Sequence, residues 1–226
     1  MTRQTRLTRL LPEEVTRSDL FQQAITHRSM GGRNNERLEF LGDSVLNLTI
    51  SEYLFEHAPQ ADEGDLSRLR SSLVRGESLA EIGLALELGD LLRLGSGELK
   101  SGGYRRKSII EDALEAIIGA VYLIKGQAFT REFIHELFGD RLTTLPDPKT
   151  LKDPKSRLQE WLQSRGADVP DYRLLSARGK AHNMTFKAEC RVPSLDIVTE
   201  AEGSSRRKAE QAAAQKALDS IPGADA

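Results

Sequence analysis

The densest chemistry in this 226-residue chain lies in the run Asn35-Glu36-Arg37-Leu38-Glu39-Phe40-Leu41-Gly42-Asp43-Ser44-Val45-Leu46. At 100° per residue its side chains sort into faces: with Glu39 as origin, Asp43 falls at about 40° and Glu36 at about 60°, while Leu38, Leu41, Val45 and Leu48 fall at roughly 180–260°. The spacing predicts a helix with one apolar stripe and three carboxylates opposite it. Like charges at these spacings cost a helix a few tenths of a kcal/mol per pair. A second segment repeats the theme. Ser108-Ile109-Ile110-Glu111 reads as a capping box that starts a helix. Asp112 and Glu115 then fall one turn apart on a face with Ala116 and Gly119, opposite Leu114, Ile117, Ile118 and Val121. Glu39, Asp43, Asp112 and Glu115 on facing helices would attract hard divalent cations such as Mg²⁺, which bind carboxylate oxygens and keep several waters. Spacing alone leaves two readings open: a metal centre, or acidic faces that meet only solvent.

Two further features carry chemistry. Phe40 falls at about 100°, off the apolar stripe and beside the acids, where either a neighbouring helix or a second subunit could cover it. Ser204-Ser205-Arg206-Arg207-Lys208-Ala209-Glu210 places three cations in the first turn of a helix, where each opposes the macrodipole by ~0.3–1 kcal/mol. A bound phosphate would offset them. Three solvated side chains are the alternative. The tip Arg178-Gly179-Lys180-Ala181-His182 reads by itself as an ordinary hairpin.

The elements that must hold these residues fall into two parts. From Ser18 to about Phe138 apolar residues recur at spacings of three and four, which predicts a mostly α domain. Leu145-Pro146-Asp147-Pro148 cannot continue a helix and marks a linker. Asp153-Pro154 then opens a helix to about Arg165. Alternating segments follow at Tyr172 to Ala177, Phe186 to Val192 and Leu195 to Ala201, and an alanine-rich helix runs from Ala209 through Leu218. The expected divisions are an all-helical domain at 1–144, a linker at 145–152 and an α-β-β-β-α domain at 153–221.

Composition agrees with a soluble protein: 38% hydrophobic, 29% charged, and no run near the ~18 apolar residues of a membrane span. Arg3, Arg6 and Arg9 precede no apolar run, so no targeting segment is read and a cytoplasmic location is expected. One cysteine, Cys190, excludes an intrachain disulfide, and four scattered histidines argue against a His-rich metal site. No organic cofactor and no membrane partner is expected. The net charge of −2 divides into +2 from Lys152 onward (13 basic, 11 acidic) and −4 before it (19 basic, 23 acidic).

The run Asn35 to Leu46 resembles the signature of the ribonuclease III family of double-strand-specific endoribonucleases. Asp112 and Glu115 match that family's second acidic pair, and Leu99-Lys100-Ser101-Gly102-Gly103 and Asp62-Glu63-Gly64-Asp65 look like further family segments. The resemblance spans all but about the first ten residues and the last four. It implies that Glu39, Asp112 and Glu115 ligate Mg²⁺, with Mn²⁺ as a substitute. It implies a catalytic role for Asp43 and Glu115, with Asp43 helping to position the metal-bound water. Glu36 and Glu63 correspond to acids near the same valley that are not essential, and Phe40 to a residue inserted into a socket of a second subunit, making a homodimer.

The order of elements after Asp153, with Lys208-Ala209-Glu210 and its alanine-rich continuation, resembles the double-stranded RNA-binding domain. That likeness implies phosphate contacts by Arg206, Arg207 and Lys208, and minor-groove contacts by Ser156, Gln159, Gln163 and the hairpin around His182. The activity implied is hydrolysis of double-stranded RNA to 5′-phosphate and 3′-hydroxyl ends, in precursors of ribosomal RNA and of some messenger and transfer RNAs. Two rivals are a regulatory RNA-binding protein whose first domain only dimerises and a phosphohydrolase of small nucleotides. The first has no need of four carboxylates, and the second no need of the attached RNA-binding module.

Overall fold

In the computed structural model, which describes residues 4–148, 150–180 and 184–222, the chain divides between Leu151 and Lys152 into a helical unit and a mixed unit. The helical unit comprises α1 (Arg6–Leu10), α2 (Glu13–Thr16), α3 (Asp19–Ala24), α4 (Glu36–His57), α5 (Glu63–Val74), α6 (Gly76–Ala85), α7 (Ser96–Lys100), α8 (Lys107–Phe138) and α9 (Asp140–Thr143). Side-chain caps set several starts. Ser18 accepts from the amide of Phe21, and Asp62 from that of Asp65. The capping box expected at Ser108 is not formed. Helix α8 begins two residues earlier, with Arg106 as its uncapped N-cap, and the Glu111 carboxylate packs over Gly76 instead of turning back to Ser108.

The core of this unit is built on α4 and α8. Leu46, Ile50 and Leu54 from α4 and Ile110, Leu114, Ile117 and Ile118 from α8 are buried at its centre. The helices meet at backbone distance. A Cβ on Gly42 would lie 1.7 Å from the carbonyl oxygen of Glu115, and one on Gly119 2.3 Å from that of Leu38. This approach rotates the buried face of α4 away from the leucine stripe. It runs through Leu38, Gly42, Val45, Leu46, Thr49, Ile50 and Leu54, and leaves Leu48, expected inside, exposed. Glycine at the contact is invisible to a count of apolar spacing.

The mixed unit runs α10 (Pro154–Gln163), β1 (Asp171–Arg178), β2 (Thr185–Val192), β3 (Ile197–Gly203) and α11 (Arg206–Asp219), with an antiparallel sheet in the order β1-β2-β3. Asp153 caps α10, accepting from the amide of Lys155 at 2.9 Å, and Ser205 caps α11, accepting from that of Lys208 at 3.2 Å. Leu158 and Leu162 of α10 and Ala213, Ala214, Ala217 and Leu218 of α11 pack with Cys190, Val192 and Ala201 of the sheet. These alanines of α11 are buried where the helix packs on the strands. The third strand starts later than expected: Pro193–Leu195 forms a 3₁₀ turn and Asp196 takes a left-handed conformation, φ 52°, before pairing resumes at Ile197. Among the described residues no helix is long and apolar enough to cross a membrane.

Candidate metal centre and nucleic-acid interface

The close approach of α4 and α8 turns two separate acidic faces into one electrostatic unit. The Glu115 carboxyl is pushed up to about 8, first by burial and then by the charges of Asp43, Glu111, Glu39 and Asp112. Burial also raises Glu39, helped by Asp112, Glu36 and Glu111 against the opposing charge of Arg28. Asp112 is raised by burial against the charges of His27 and Arg28. Beside them opens a cavity of about 260 Å³ lined by His27, Arg28, Asn35, Glu36, Glu39 and Asp112. Asp43 is oriented from its own helix: the Asn47 amide donates to its Oδ1 at 2.7 Å and to its carbonyl at 2.9 Å. Glu36 at the rim lies 3.6 Å from Arg28 and accepts from Asn34 at 3.1 Å. Glu63, at the start of α5, accepts from the Ser67 hydroxyl at 3.0 Å.

Periodicity missed several participants. The sequence marks Glu111 as a cap, yet its carboxyl is itself raised by burial and by Asp112, and its charge acts on Glu39 and Glu115. Asn47 is one turn beyond Asp43, a spacing that could have flagged it. His27 and Arg28 arrive from the start of a short 3₁₀ turn, Arg28–Met30, and nothing in their local sequence points to the acids.

Among the described residues no three His, Cys, Asp or Glu side chains are gathered tightly enough to enclose a metal ion. Mg²⁺ asks for less, because it binds through one or two carboxylates and retains water for substrate phosphate to replace. A donor set made only of carboxylate oxygens suits a hard divalent cation.

Phe40 is 78% exposed, so among the described residues no neighbouring helix covers it. It lies at a recess of about 1070 Å³ lined also by Leu20, Arg37, Leu41 and Leu123. Leu48 and Phe55, both exposed, share the Phe40 side of α4 to within about 80°.

In the mixed unit Ser156, Gln159 and Gln163 are exposed on one side of α10, opposite the buried Leu158 and Leu162. Arg206, Arg207 and Lys208 are exposed at the start of α11. Protein acids already answer two of them: Arg206 donates to Glu210 at 2.8 Å, and Arg207 lies 3.6 Å from Asp153. The need for an external anion therefore falls mainly on Lys208, which has no ion pair among the described residues. His182 lies outside the described residues.

Comparison with known proteins gives the two units separate matches. The family described as Ribonuclease-III-like matches residues 17–142, and the Double-stranded RNA binding motif matches residues 154–221. The chain is 55% identical to Ribonuclease 3 of Pseudomonas aeruginosa over 213 residues, covering 94% of this chain and 93% of that protein. It is 49% identical to Ribonuclease 3 of Vibrio atlanticus over 216 residues, 96% of each. Two solved structures of the nuclease domain of ribonuclease III from Campylobacter jejuni, one described for flexibility in a region involved in dimer formation, match with TM-score 0.56 and 40% identity. They cover 62% of this chain and 97% and 98% of theirs.

Proposed function

This chain belongs to the ribonuclease III family, and on that premise we propose that it is a divalent-metal-dependent endoribonuclease that cuts both strands of duplex RNA. The observation that carries the reading is the convergence of Glu39, Asp43, Asp112 and Glu115 across the Gly42 and Gly119 contact, where burial first and the neighbouring acids second raise the Glu115 carboxyl to about 8. In this reading Glu39, Asp112 and Glu115 hold Mg²⁺, or Mn²⁺ in its place, directly or through retained water. Bound there, the metal supplies charge stabilisation for the attacking and leaving oxygens of an in-line displacement at phosphorus. Asp43, its carboxylate turned by Asn47, orients the attacking water and accepts a hydrogen bond from it. Breaking the bond to the 3′ oxygen leaves a 3′-hydroxyl and a 5′-phosphate.

The mixed unit supplies duplex recognition. Arg206, Arg207 and Lys208 meet phosphates across the major groove, and Ser156, Gln159, Gln163 and the hairpin with His182 meet the minor groove. An A-form duplex is read this way by shape and 2′-hydroxyls, with little dependence on sequence. A serine hydroxyl and glutamine amides suit that surface because each donates and accepts.

The active form in this reading is a homodimer in which Phe40 fills the recess of a second copy. Each copy then offers one acidic centre to one strand, and the paired cuts leave a short 3′ overhang. The substrates are structured precursors, chiefly of ribosomal RNA and also of some messenger and transfer RNAs, processed in the cytoplasm. The test is incubation of the full chain with a long RNA duplex, with and without Mg²⁺. Mg²⁺-dependent shortening to fragments with 5′-phosphates is expected, and metal-independent cutting would sink the reading.

A further inference from the structure

The cations at the start of α11 surround a carboxylate. Glu210 is 7% exposed, and its two oxygens serve cations from two helices. Oε2 accepts from Nζ of Lys155 on α10 at 2.6 Å, and Oε1 from Nε of Arg206 on its own helix at 2.8 Å. The Lys155 ammonium also sits 4.1 Å from the centre of the Tyr172 ring on β1. One buried acid thus ties together α10, β1 and the first turn of α11. Asp153 makes a parallel link, accepting from the Lys155 amide and from the Gln211 side chain with Arg207 nearby. Burial pushes the Glu210 carboxyl up, but the hydrogen bonds from Lys155 and Arg206 outweigh it and hold the group below its ordinary value.

A negative charge in this place opposes the approach of phosphate. If Coulomb's law were its whole effect, removing it would tighten RNA binding. Its geometry acts the other way. Helix α10 carries Ser156, Gln159 and Gln163, α11 carries Arg206, Arg207 and Lys208, and a surface that reads duplex shape depends on the spacing between those two sets. An Arg side chain held by a fixed acceptor also loses less rotamer freedom when it meets a phosphate.

We propose that Glu210 is a positioning residue for duplex recognition: through Lys155 and Arg206 it fixes α11 against α10, and this gain in order outweighs its repulsion of RNA. The role rests on the RNA-interface reading given above.

The test uses the full chain with duplex RNA in EDTA, so that nothing is cut, over a series of salt concentrations. Glu210→Gln keeps the size and loses the charge. Glu210→Asp keeps the charge but is one methylene too short to span both cations. Both should weaken binding at least about tenfold, the scale of a lost hydrogen bond to a charged group. Emission from Trp161, the chain's single tryptophan and part of α10, should stay native. Unchanged or tighter binding by either variant overturns the proposal. So does loss of native Trp161 emission in both, which would make Glu210 a folding residue. A Lys208→Ala arm separates the two levels of the argument. If Lys208→Ala leaves affinity and salt dependence unaltered, the RNA reading of α11 falls and this role with it. If Lys208→Ala weakens binding while Glu210→Asp does not, only the positioning role falls.

Discussion

Gly42 and Glu115 are in backbone contact: a Cβ on the glycine would stand 1.7 Å from the glutamate's carbonyl oxygen. The tightest point between α4 and α8 is therefore at the residue whose carboxyl feels the most acids. The close approach helps bury the Glu115 carboxyl and adds the charges of Asp43 and Glu39 from α4 to those of Glu111 and Asp112 on its own helix.

Gly42→Ala should force those helices apart, because the obstructing atom is backbone and cannot rotate away. Overpacking of this kind costs about 1–3 kcal/mol, and the upper end is expected here. Urea unfolding should show the loss, and cleavage should fall further than stability alone explains. Wild-type stability in this variant would mean that the helices are not in contact at this point.

Glu115→Gln should abolish cleavage and leave duplex binding largely intact, since it removes a charged metal ligand without changing bulk. Glu36→Ala should be far milder, because Glu36 sits at the rim against Arg28 and Asn34. Cleavage rates and duplex affinities for the two variants, measured side by side at millimolar Mg²⁺, check the division. Equal damage from both would break it.

With Mg²⁺ chelated, the fold should lose stability as the pH rises. Glu115 has a folded value near 8 against an ordinary 4.5, so between those limits the folded state holds a proton that the unfolded state has released. Stability falls wherever the native state binds more protons, so the contribution is complete below about pH 4.5 and lost as pH passes through about 8. Glu39, Glu111 and Asp112 are raised too and act with the same sign. Thermal melts in EDTA from pH 5 to 9 should show a decline that Glu115→Gln lessens and added Mg²⁺ reverses. A flat profile would contradict the shared field.

Phe40→Ala should weaken self-association and leave the protomer's own fold nearly unchanged, since the ring is exposed within one chain. If it fills a socket in a second copy, two equivalent burials are lost at ~3–5 kcal/mol each on the scale of core deletions. Sedimentation of wild type and variant reads this directly. A monomeric wild type at micromolar concentration would refute the assembly.

Much of this protein is determined by residue spacing within single elements. The arc of Glu36, Glu39 and Asp43, the pairing of Asp112 with Glu115, the caps Asp153 and Ser205, and the helix–strand–strand–strand–helix order are all local, because 3.6- and 2-residue periods are properties of one element at a time. Tertiary structure decided what no single period can contain. Whether the acidic faces meet depends on two glycines from different helices, and it is their missing side chains that permit the approach. Glu111 reads locally as a cap, yet its carboxylate packs over Gly76 and its charge acts on Glu115 and Glu39. Leu48 reads as part of the apolar stripe and Phe40 as lying off it, yet the rotation of α4 on its neighbour leaves both exposed. The acids that answer Arg206 and Arg207 differ for the same reason: Glu210 is one turn along the same helix, whereas Asp153 is far off in the chain and is brought near by the packing of α10 on α11.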